Sequence, residues 1–148
     1  MRLKNNTDQN TDKLKEMIRH CKPNGVSNFD ITFKNTQHDG IRGRAYYHGC
    51  LMYHGNSNPY VVVLVGNGNK YPHRWDIGKG RGYIPYISLD QDEELVNVIA
   101  HELRHLWQAK VKTGHRVWGS RGRFSERDAS CYAFKKMREW RKAIREKP

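Results

Sequence analysis

His101-Glu102-Leu103-Arg104-His105 is the stretch on which the reading of this chain turns. In a helix, residues four apart stand one turn above one another, so His101 and His105 share a face. Two imidazoles at that spacing can grip one divalent cation, and the glutamate between them can reach a water held there. The flanking residues supply the helix. Ser88-Leu89-Asp90-Gln91-Asp92-Glu93-Glu94 reads as its start: Asp90 can cap free backbone donors, Glu93 can complete a capping box, and four acids suit the positive end of the helix dipole. At roughly 100° per residue, Leu95, Val96, Ile99, Ala100, Leu103, Leu106 and Trp107 fall on one broad apolar stripe. His101 and His105 fall on the other side, with Glu102 at its edge.

A catalytic zinc site takes three protein ligands and keeps one position open. The stretch Phe124 to Ala133 is the best supplier of the third. Ser125 reads as the cap of a second helix, with Asp128 as its partner three residues on. That reading puts Glu126 in the first turn, about twenty positions past His105. Ala129 and Ala133 share a stripe with Met137, Trp140 and Ile144, and their small size lets the helix pack closely on a neighbour. Asp128 rivals Glu126 as the third ligand, and His115, in a Gly-flanked loop, is a further rival.

His-Glu-x-x-His, then a glutamate some twenty residues later with alanine three positions beyond it, resembles the gluzincin branch of the zincin metallopeptidases. In size the chain is similar to the compact, single-lobed members, the minigluzincins and related peptidase-like domains. The resemblance spans about residues 88–133. It implies a zincin-like fold and one zinc ion per chain, held by His101, His105 and Glu126. It further implies hydrolysis of peptide bonds, with Glu102 as general base and then general acid. Arg104 departs from the family pattern at a slot usually uncharged, so its guanidinium has to turn to solvent or meet an acid. The metzincin continuation fails, because Gln108 and Val111 stand where that branch has glycine and histidine. SprT-like proteases share the His-Glu-Leu-x-His wording, but their third ligand is usually histidine and their cysteine ribbon has no counterpart here. Tyr83, Tyr86, Tyr132, His115 and Arg116 are candidate donors to a developing oxyanion. Two other readings stay open. One is a basic nucleic-acid-associated binding protein on the same fold, with a structural metal or no activity. The other, a three-histidine ribonuclease, needs a histidine where Val111 stands.

Composition narrows the class. A chain of 148 residues builds one domain with one useful core. No apolar run is long enough to span a bilayer, and Met1 to Asn6 lacks the apolar stretch of a signal peptide. Cys21, Cys50 and Cys131 are too few and too scattered for a disulfide framework or a cysteine metal site, which points to a reducing, cytoplasmic setting. The net charge is +12. From Arg104 onward fourteen Lys and Arg face four acids, leaving +10 in that part of the chain. Such a field attracts phosphate backbones or acidic partners, so the expected partners are a peptide or protein substrate and a nucleic acid or acidic surface, with no membrane. Gly78-Lys79-Gly80-Arg81-Gly82 lacks the Walker spacing and reads as a turn.

The expected architecture is α+β: a loose polar segment over residues 1–10, then one domain over residues 11–148. Within it, Asn10-Thr11-Asp12 opens a helix with Leu14, Met17 and Ile18 inward, ending near Pro23. Strands are expected at Phe29–Phe33, over residues 41–54, at Tyr60–Val65 and at Tyr83–Ile87, forming a small mixed or antiparallel sheet of about four strands. Pro85 marks the last as an edge strand, where an extended peptide could add beside the metal.

Overall fold

Three helices pack around a mixed four-stranded sheet. The computed structural model describes residues 1–47, 58–75, 82–111 and 123–146. In chain order the elements are β1 (Arg2–Asn6), α1 (Thr11–Cys21), β2 (Asp30–Asn35), β3 (Ile41–Tyr46), β4 (Tyr60–Val65), β5 (His73–Trp75), β6 (Tyr86–Ser88), α2 (Gln91–Val111) and α3 (Arg123–Glu146). The main sheet runs β1-β2-β4-β3, with β1, β2 and β4 parallel and β3 antiparallel to β4.

Alternation decides which face is covered. Ile31, Phe33, Val61, Val63 and Val65 are all but fully buried, while their neighbours Thr32, Val62 and Leu64 are half-buried on the other face. Leu14, Met17 and Ile18 of α1 and Leu95, Val96, Ile99 and Leu103 of α2 meet the buried face in one core cluster. α1 starts where Asn10 accepts from the Lys13 amide at 2.9 Å, satisfying a donor with no partner inside the helix. It ends before Gly25, whose φ of 87° suits a residue without Cβ.

Four expectations require correction. Residues 2–6, read as part of a loose segment, form β1, because its parallel ladder to β2 uses backbone groups and needs few apolar side chains. Lys4 and Asn6 point out from this edge strand, and Leu3 is the one apolar side chain that turns toward the core. His73–Trp75, read as loop, is a short strand. The expected strand at Tyr83–Ile87 is shifted to Tyr86–Ser88, just past Pro85, which has no N–H to give a ladder. It pairs with β5 in a separate two-stranded ribbon, so the edge of the main sheet nearest α2 is β3 instead. Within the strand expected over residues 41–54, β3 ends at Tyr46, and Leu51 and Tyr53 lie outside the described residues.

Candidate metal centre

α2 carries the His101–His105 stretch and is the central element, packed on β3, β4, α1 and α3. Its start follows the sequence closely. Asp90 Oδ1 accepts from the Glu93 amide at 2.9 Å, and Glu93 Oε1 accepts from the Leu89 amide at 2.9 Å. Glu93 also binds the Arg141 guanidinium of α3. Glu94 turns inward, where it accepts from the Ile41 amide of β3 at 3.2 Å, from Asn69 and from the Tyr71 hydroxyl. Periodicity assigned these acids to the helix dipole; buried and bonded, they tie α2 to its neighbours.

The side of α2 opposite the apolar stripe is covered as well. Ala129, Ala133, Met137 and Trp140 of α3 are buried, whereas Ile144 of the same stripe is 46 % exposed. α3 begins at Arg123, so Ser125 sits inside the first turn, buried, and does not cap the helix. Glu126 remains in that first turn and faces both histidines.

Three ligand-type atoms converge there. His101 Nε2 and His105 Nε2 are 3.2 Å apart, Glu126 Oε2 is 3.1 Å from the first, and Glu126 Oε1 is 3.0 Å from the second. Among the described residues these three form the one group of His, Cys, Asp or Glu side chains with atoms close enough to share an ion. The set fits zinc. Ligand bonds of about 2.0–2.1 Å in a tetrahedron place neighbouring donor atoms about 3.3 Å apart. Two imidazoles and a carboxylate are the expected ligand chemistry, and a fourth direction is left over.

Electrostatics bind the group together. Burial alone lowers the His105 pKa, but its hydrogen bond to Glu126 and the charges of Glu102 and Glu126 outweigh that and push it up to about 9. Burial raises the Glu126 carboxyl, and the hydrogen bonds and charges of the two histidines overcome it, holding the group well below the usual carboxylate range. The protonated His105 ring and the ionised Glu126 carboxylate therefore stabilise each other.

Glu102 is 8 % exposed and lies against the edge strand. A Cβ on Gly43 of β3 would come within 2.6 Å of Glu102 Cγ and 2.8 Å of Val98 Cγ1. The bare backbone at Gly43 is what lets β3 pass so close to this carboxylate. Sequence reasoning missed Gly43, because nothing nearby in the chain marks it.

The remaining candidates separate by contact. Asp128 receives the Arg104 fork, Nε at 2.7 Å and Nη2 at 3.2 Å, so the guanidinium meets an acid and the acid is occupied. Tyr132 donates to the Cys21 carbonyl at 2.6 Å, which commits its hydroxyl to the end of α1. Tyr86 stacks on Trp75 in the ribbon, ring centroids 5.6 Å apart. The Tyr83 ring lies parallel to His101, centroids 5.7 Å apart, which places it beside the group. His115 and Arg116, and the glycine-rich residues 78–81, fall outside the described residues. Gln108 also belongs here: its Oε1 is 2.8 Å from His105 Nδ1. Its position three residues after His105, on the same helical face, is a signal the sequence did carry. No protein-family model matches the chain, and no curated protein or solved structure matches it significantly.

Proposed function

We propose that the chain is a zinc-dependent peptidase of the compact gluzincin-like kind, with one zinc ion held by His101, His105 and Glu126. The observation that carries this reading is the convergence of those three ligand-type atoms from α2 and α3, with Glu102 buried on α2 and its charge acting on His105. The mixed α+β architecture is compatible with a zincin-like domain. When bound, zinc supplies a Lewis acid that polarises the scissile carbonyl and brings the pKa of a water to about 7. Glu102 takes a proton as the water oxygen bonds to the carbonyl carbon, then passes it to the nitrogen as the C–N bond breaks. Tyr83, alongside His101, is the candidate donor to the oxyanion whose ring packs against the group. Among the described residues, β3 has β4 as its one ladder partner, so its other edge can accept an extended peptide as a further strand next to Glu102.

Metal analysis and peptide cleavage test this together. Purified protein is expected to hold about one zinc per chain, absent from a His101→Ala, His105→Ala double variant. Glu102→Gln is expected to keep the zinc and to cleave a peptide library at least about a hundredfold more slowly. Equal cleavage by wild type and Glu102→Gln removes the peptidase reading. It then favours the alternative, a basic nucleic-acid-associated binding protein with a structural metal.

A further inference from the structure

Gln108 is 3 % exposed, and its amide is tied at both ends. Nε2 donates to the Ser125 carbonyl at 2.8 Å and to Asp128 Oδ2 at 3.0 Å. Neither acceptor has a hydrogen to give. One is a backbone carbonyl, and the other is a carboxylate oxygen already accepting from Arg104 Nε. The end of the amide facing them is therefore the NH2 group, since the reversed amide would set one oxygen against two others. The opposite end, Oε1, lies 2.8 Å from His105 Nδ1. A carbonyl oxygen only accepts, so Nδ1 carries a hydrogen. A neutral imidazole has a single N–H, and with that hydrogen on Nδ1 the lone pair sits on Nε2. Nε2 is the atom that faces His101 and Glu126.

We propose that Gln108, held by Asp128, Arg104 and the Ser125 carbonyl, locks His105 in its Nδ1–H form and so aims the Nε2 lone pair at the metal position. The chain of contacts accounts for the residues the sequence left without a role. Arg104 is clamped flat, its guanidinium carbon 3.6 Å from the Trp107 ring centroid and 5.0 Å from that of Tyr132. A clamped fork fixes the Asp128 carboxylate, which orients the Gln108 amide, which sets the proton on His105. Asp128 thus serves as a positioning residue, two contacts removed from His105. α3 supplies both the carboxylate ligand Glu126 and the groups that orient the α2 ligand, so docking of one helix assembles the whole centre.

This inference rests on the zinc reading above, and its test separates the two. Zinc affinity is measured by chelator competition for wild type, Gln108→Leu and Gln108→Glu, with thermal melting to confirm folding. Gln108→Leu removes the acceptor and is expected to weaken zinc binding about 10–100-fold. Gln108→Glu keeps an oxygen for the Nδ1 hydrogen but sets its second oxygen against the Ser125 carbonyl and Asp128, so it is expected to bind zinc more tightly than Gln108→Leu and more weakly than wild type. In zinc-loaded, 15N-labelled wild type, long-range proton–nitrogen spectra are expected to show the His105 hydrogen on Nδ1. Unchanged affinity in folded Gln108→Leu, or a hydrogen on Nε2 with Nδ1 bound to zinc, overturns the inference and leaves the zinc reading standing. A wild type that takes up no zinc removes both. Should Gln108→Leu fail to fold, the wild-type spectrum decides alone.

Discussion

Two imidazole nitrogens 3.2 Å apart cannot both turn lone pairs toward each other without a proton or a metal between them. Glu126 stands against both rings and helps raise the His105 pKa, so stability is expected to depend on pH. The folded His105 pKa of about 9 lies above its unfolded value of about 6.5, so its contribution is complete below pH about 6.5 and is lost as pH rises through about 9. The folded Glu126 pKa lies below its unfolded value, so its contribution is present above the ordinary carboxylate range and is lost as pH falls below it. In chelator, the melting temperature of wild type is expected to fall by several degrees between about pH 6 and about pH 10, and that of His105→Gln to fall less. Parallel curves for the two proteins over that range would show that His105 does not carry the dependence. Added zinc competes with the same proton, so uptake is expected to release acid.

Between α2 and α3 the packing depends on two small side chains. Ala129 and Ala133 are fully buried, and their size is what allows Met137 and Trp140 to seat beside α2. Ala133→Leu adds volume to a close-packed seam, at a cost of about 1–3 kcal/mol. Glu126 stands two turns upstream on the same helix, so displacement of α3 is expected to weaken zinc binding as well as to lower the melting temperature. Arg127→Ala, an exposed change on the same helix, is the control; an Ala133→Leu protein matching it in both measurements would contradict the packing argument. At this scale the sequence was legible wherever side chains repeat with a period. The inward rows of α1 and β2 and the α3 stripe as far as Trp140 stand where alternation and helical spacing put them, and β4 stands where its apolar run put it. What it concealed were elements held by backbone pairing. β1 has one inward apolar residue, β5 is three residues long, and the edge position passed to β3 because sheet order is set by ladder partners far apart in sequence. The shared face of His101 and His105 was legible from their spacing. Gly43 and the inward turn of Glu94 were not, since each depends on a neighbour brought close by folding.

Charge is divided between the layers of the molecule. The outward side of α3 exposes Arg127, Lys135, Arg138, Lys142 and Arg145, while Arg104 and Arg141 are committed to Asp128 and Glu93. No helix among the described residues is long and apolar enough to cross a membrane. If this cationic side draws the molecule to nucleic acid, binding to a DNA or RNA oligonucleotide should weaken steeply with salt. Neutralising Lys135, Arg138, Lys142 and Arg145 should flatten that dependence, by about 0.9 in log–log slope for each duplex phosphate that these side chains no longer neutralise. Affinity that stays constant from about 50 to 200 mM salt rules the attraction out. Finally, α2 has sheet, α1 and α3 around it, so its inner turns reach solvent only when those layers separate. Deuterium is therefore expected to enter the amides from Leu95 to Leu106 last of all, at the rate of global unfolding, while the polar ladder of β1 exchanges early.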